Sequence, residues 1–91
     1  MTVAPCLDCG ADTLALGEWY LVNNDVWAEA MGAPPDVRFA PRGFLCIEHL
    51  EARLGRRLTA VDFTDVPINR RHERHSARLQ ARLVAAPHLT A

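Results

Sequence analysis

The stretch Leu45-Cys46-Ile47-Glu48-His49-Leu50-Glu51-Ala52-Arg53-Leu54-Gly55-Arg56 decides how this chain is read. Ile47, Leu50, Leu54 and, further on, Leu58 recur at steps of three and four, which puts them on one face of a helix over Ile47 to Leu58. Gly55 either interrupts that helix or caps it, and Arg56-Arg57 stand near its C-terminus, where cations are favoured. Cys46 and His49 fall on its first turn. Thiolate and imidazole placed there meet unpaired N–H groups, which favour anionic sulfur and lower the cost of deprotonating it.

Working outward, the same two-residue gap occurs at Cys6-x-x-Cys9, and Gly10 after it permits the positive-φ turn that a tight knuckle needs. Four soft or borderline ligands in two such pairs form a donor set for one tetrahedral Zn2+ ion held by Cys6, Cys9, Cys46 and His49. A Cys6–Cys9 redox pair is one alternative, and unrelated buried thiols are another. Neither accounts for two pairs that use all three cysteines. A redox motif also expects a βαβ context, which does not follow here.

The flanking segments predict an α+β domain. Glu18 to Val22, rich in aromatics and bounded by Gly17 and Asn23-Asn24-Asp25, reads as a strand. Asp25 is placed to cap a short helix from Val26 to Met31, which Gly32 and Pro34-Pro35 end. Pro34 to Pro41 reads as a loop with an extended piece at Val37 to Ala40. Gly43-Phe44-Leu45 is the strand that delivers Cys46 to the helix. Thr59-x-x-Asp62 has the form of a capping box, and Asp65-Val66-Pro67 ends that turn. Asn69 is a candidate N-cap for a last helix from Arg70 to about Ala86, stopped by Pro87. Trp19 and Phe63 are expected in the core; Trp27 is left open.

A knuckle, a hairpin and a helix bearing the second ligand pair resemble treble-clef zinc fingers. More narrowly, the Leu45 to Arg56 string, with Cys6-x-x-Cys9-Gly10 before it and Asp62-Phe63 and Pro67-Ile68-Asn69 after it, resembles small uncharacterised proteins of actinobacteria and their phages. Members of that group carry cysteine where this chain has His49. The exchange keeps a zinc ligand and removes one negative charge. The resemblance covers most of residues 6 to 69 and implies zinc and a fold, with no established activity. The expected organisation is a small zinc-stabilised treble-clef-like domain over 1–69 and a C-terminal Arg-rich amphipathic helix over 70–91.

Ninety-one residues allow one small domain with a thin core, so a bound metal would supply a large share of its stability. No apolar run approaches a membrane span and the N-terminus lacks the pattern of a signal peptide, which together predict a cytoplasmic protein with reduced thiols and no membrane partner. Residues 1–45 hold two Arg against six acids, and residues 46–91 hold eight Arg against five. Lysine is absent, either through the base composition of the coding sequence or through a preference for planar contacts to carboxylate or phosphate.

On the last helix Arg70, Arg74, Arg78 and Arg82 recur every fourth residue, with Arg71 beside them. They form either a solvated face, a contact for a protein partner with an acidic surface, or a contact for nucleic-acid phosphate. His72 and His75 lie one turn apart there, but nothing nearby completes a second metal set. Catalysis is not expected. The strand before the helix, Arg42-Gly43-Phe44-Leu45, lacks the histidine that HNH-type nucleases on this scaffold need, four protein ligands leave zinc no position for water, and no phosphate loop or nucleophile elbow is present. The expected function is a non-catalytic zinc-binding interaction module, with a nucleic-acid-binding finger as the alternative.

Overall fold

A computed structural model of the chain describes residues 4–33, 43–70 and 72–84. The expected loop at Pro34 to Pro41, Arg71, and the segment with Pro87 and His88 lie outside the described residues. Among the described residues four helices follow in order: α1 (Thr13–Leu16), α2 (Asn24–Ala30), α3 (Ile47–Leu54) and α4 (Ala77–Val84). Single 3-10 turns at Ala60–Asp62 and Pro67–Asn69 lie between α3 and α4.

Each helix begins where a side chain or backbone group takes up its unpaired N–H groups. Asp12 caps α1, its Oδ1 accepting Leu14 N–H at 3.0 Å. The helix α2 starts from Asn23, two residues before the expected cap, and Asp25 instead lies in its first turn, where an acid favours the helix dipole. Cys46 is the N-cap of α3, as expected, and Gly55 ends that helix. Leu58 therefore reaches the core from a turn and not from a continued helix; its N–H donates to Glu51 Oε2 at 2.8 Å. The capping box forms, with Asp62 Oδ2 accepting Thr59 N–H at 2.8 Å.

The last helix is shorter than its sequence pattern. Asn69, the expected N-cap, is used elsewhere: its Oδ1 accepts Leu21 N–H at 2.8 Å and its Nδ2 donates to Leu21 O at 2.7 Å and Thr64 O at 2.6 Å. The chain turns through His72 to Ser76 before helix geometry resumes, and Ser76 is the cap, its Oγ accepting Leu79 N–H at 3.0 Å. Arg70 and Arg74 thus precede α4, and only Arg78 and Arg82 of the predicted stripe lie on it.

Strand pairing among the described residues is confined to isolated bridges, Pro5 with Asp12, Cys6 with Phe44 and Val22 with Phe63. The predicted strand Glu18 to Val22 builds no ladder. Its backbone is bonded by the Asn69 side chain at Leu21, and Glu18 turns into the interior. The core gathers Leu45, Ile47, Leu50, Leu58 and Leu79, none more than 1% exposed, with Val22, Val26 and Phe63 around them. Burying each of these side chains contributes about 1.5–3 kcal/mol. Phe63 is in the core as expected, Trp27 packs half-buried against it, and Trp19 lies half-buried against His75 instead.

Candidate metal centre

The knuckle is made by local backbone bonds. Cys6 N–H donates to Ala11 O and Gly10 N–H to Cys6 O, each at 2.8 Å, and Gly10 takes φ +77° to close the loop. Leu7 N–H donates to Phe44 O at 2.8 Å, beside the Cys6–Phe44 bridge, so the knuckle docks on the segment that leads into α3. Cys46 at the N-cap and His49 one turn along then face it.

This brings Cys6, Cys9, Cys46 and His49 together, their ligand atoms all within 4.8 Å of one another. Cys46 Sγ and His49 Nδ1 are 2.9 Å apart. A tetrahedral zinc with bonds of about 2.3 Å to sulfur holds its sulfurs about 3.8 Å apart, so small rotamer changes would seat an ion. Cys6 and Cys46 are buried, Cys9 is exposed, and none is in a disulfide. Among the described residues no other set of three or more His, Cys, Asp or Glu is placed this way.

The electrostatics ask for a cation. Burial pushes the Cys46 thiol up to about 12, and its neighbour Cys6 adds to the rise. Burial opposes ionisation of Cys6 too, yet the N–H groups of Cys46, Asp8 and Cys9 pull that thiol down to about 7. Of the two buried sulfurs, protein groups alone therefore favour ionisation of Cys6 and oppose that of Cys46. A dication supplies the missing attraction, and the donor set fits one.

Supporting contacts that spacing did not reveal surround the cluster. Glu18, 7% exposed, accepts Ile47 N–H through Oε1 and the Ser76 hydroxyl through Oε2, both at 2.8 Å, so one carboxylate serves the N-termini of α3 and α4. Tyr20 donates its hydroxyl to Leu45 O at 2.6 Å, one residue from Cys46. Burial holds that phenol well above its ordinary range, so it remains a donor. Asp8, inside the knuckle, takes a two-pronged bond from Arg53 of α3 at 2.6 and 2.9 Å. The Arg53 guanidinium holds the Asp8 carboxyl below the usual range. An acid within an apolar stretch is the only sequence signal Glu18 offered, and the Asp8–Arg53 pair offered none.

The arginines expected to meet a partner divide. Arg82 pairs with Glu51 at 2.6 Å, both largely buried, and Arg78 lies 3.5 Å from Glu48 on the surface, so α4 is tied to α3 through two glutamates of α3. Arg70 and Arg74 have no acidic partner among the described residues. His72 and His75 sit apart from the cysteines, in the turn before α4. Set against protein-family models, curated proteins and solved structures, the chain has no significant match to any of them.

Proposed function

We propose that this chain is a non-catalytic zinc-binding domain of treble-clef-like architecture, in which the metal is structural and the protein serves as an interaction module. The observation that carries the metal reading is the convergence of Cys6, Cys9, Cys46 and His49 ligand atoms within 4.8 Å. A sulfur-rich set with one imidazole suits zinc among common divalent ions, and four protein ligands close its tetrahedron against water. The ion would join the knuckle to the start of α3, adding to the contacts already made there by buried Cys6, by Leu7 with Phe44 and by the Asp8–Arg53 pair. Reduced thiols are consistent with a cytoplasmic setting. No helix among the described residues is long and apolar enough to cross a membrane.

The partner we propose presents an acidic surface, met by Arg70 and Arg74. Exposed Leu14, Leu21, Phe44 and Ile68 border a groove of about 410 Å³, which supports an interaction role further. A phosphate-binding role would draw on Arg70, Arg71, Arg74, Arg78 and Arg82 together, of which Arg78 and Arg82 are already paired within the chain.

Purified protein is expected to carry one zinc per chain by elemental analysis, and a strong chelator should abolish its cooperative thermal transition. Metal-free protein of unchanged stability overturns the zinc reading. For the partner, capture from extract by the native chain and by an Arg70→Glu, Arg74→Glu variant should differ; equal capture removes the arginine surface.

A further inference from the structure

His75 is 4% exposed, and its Nε2 is a buried polar atom with no hydrogen-bond partner. Its other nitrogen is committed: Nδ1 lies 3.1 Å from the backbone N–H of His72, a group that can only donate. The lone pair must then be on Nδ1 and the ring proton on Nε2, so the imidazole is neutral. The ring stacks at a tilt on Trp19, centroids 4.7 Å apart. The same assignment sets the second metal aside, because a neutral ring that accepts at Nδ1 has no lone pair left at Nε2. His72 is fixed likewise, its Nδ1 accepting Arg74 N–H at 2.9 Å.

This ring sits where α4 is fastened to the rest of the molecule. Ser76 N–H donates to Gly17 O at 2.8 Å, and a Cβ on Gly17 would lie 2.2 Å from Arg74 O, so the two backbones are in direct contact. Gln80 Nε2 returns from α4 to His75 O at 2.9 Å. Four charged or titratable groups stand nearby, one of them Glu73, which is exposed on the same turn. His72 belongs to the same turn, with ring centroids 6.0 Å apart; Arg74 is exposed on that turn; Glu18, from the facing connector, is already bonded to Ile47 and Ser76.

We propose that His75 is a proton-operated latch: adding a proton at Nδ1 frees the His72–Ser76 turn and the start of α4 from Gly17–Trp19, while the knuckle and α3 stay together. Protonation can occur only at Nδ1, and there it replaces an acceptor with a donor facing the His72 N–H. It also buries a cation beside a second histidine, with no unused carboxylate in contact among the described residues. Burial and the neighbouring His72 already hold His75 below the usual histidine range. Since the unfolded chain binds this proton more readily than the folded one, the stabilisation is complete above about pH 6.5 and falls as pH drops from there to the depressed folded value.

The experiment is a titration of the metal-loaded chain from pH 7.5 to 5.0, following histidine ring nitrogens and the amide exchange of Leu79 and Gln80 by NMR, with released metal measured in the same samples. At neutral pH His75 should show the Nε2–H tautomer. Its midpoint should fall below 6.5, and exchange in α4, corrected for its intrinsic pH dependence, should rise about tenfold while the metal stays bound. His75→Asn places an amide oxygen near Nδ1 that accepts but does not titrate, so the acid step should vanish in that variant. An Nδ1–H tautomer in the native chain, an ordinary or raised midpoint, or an acid step that persists in His75→Asn or appears only with metal release overturns the proposal. The tautomer measurement stands even if the variant fails to fold.

Discussion

Two histidines turned inward, His49 and His75, sit in two regions held together by different means. Around His49 the chain gathers three sulfurs and an imidazole where burial and the neighbouring Cys6 oppose ionisation of Cys46, an opposition that a cation would relieve. Around His75 every contact is internal: a backbone N–H on one face, Trp19 on another, and a glycine close enough to exclude any side chain. The first region has the donor set for a metal ion, and the second is held by shape. Their responses to mutation should therefore differ in kind as well as in size.

The largest effect is expected at the metal centre. Cys46→Ser removes a buried ligand, and because structural zinc contributes about 10 kcal/mol or more to folding in small fingers, the variant should lose both bound zinc and a cooperative melt. Zinc content and circular dichroism together check this; a variant that still melts cooperatively without metal would erase the contrast between the regions. Next comes Gly17→Ala. The new Cβ meets Arg74 O at 2.2 Å on a backbone at φ +75°, and the expected cost is about 2–4 kcal/mol by urea unfolding, with zinc retained. Loss of zinc in that variant would mean the two regions are one cooperative unit.

Smaller effects test the ties between α3 and its neighbours. Glu51→Gln leaves Arg82 with a neutral acceptor and weakens the bond to Leu58 N–H, for about 1–2 kcal/mol. Desolvation opposes ionisation of Glu51, but Arg82 and Leu58 N–H outweigh it and hold the carboxyl low, as Arg56 and Thr59 do for Asp62. Such carboxylates stabilise the fold above the unfolded value of about 4 and lose that contribution as pH falls through the depressed folded values. Acid unfolding should thus show a carboxylate phase below about pH 4, well separated from any change that starts at 6.5; a single phase centred between them would contradict the sign of one shift. Asp8→Asn, which weakens a solvent-exposed bridge, should give the smallest change in melting temperature, and only at low salt.

The convergence of the four candidate ligands was legible because the information in each pair is short-range. Cys6 with Cys9, and Cys46 with His49, are each three residues apart, and a knuckle or a first helical turn places such a pair by local geometry alone. The capping box at Thr59 and Asp62 was legible for the same reason. Asn69 shows where local reading stops. Its side chain suits an N-cap, but the N–H it meets belongs to Leu21, 48 residues away, and that contact displaces the helix start to Ser76. Trp19 and Tyr20 favoured a strand, yet Asn69 bonds the neighbouring Leu21 backbone and Glu18 serves two helix ends, so pairing stops at the single Val22–Phe63 bridge.

From sequence alone came the four-ligand set, the helix that opens at Cys46, the glycine that ends it and the uneven charge of the two halves. Each rests on residues within a few positions of one another, where bond geometry limits the choices. Only the tertiary structure decided that Arg82 ties α4 to α3, that Glu18 joins two helix N-termini, and that His75 is buried against Trp19. Those outcomes depend on which distant groups meet in a shared, water-poor space, where an unpaired charge or N–H is too costly to leave unmet.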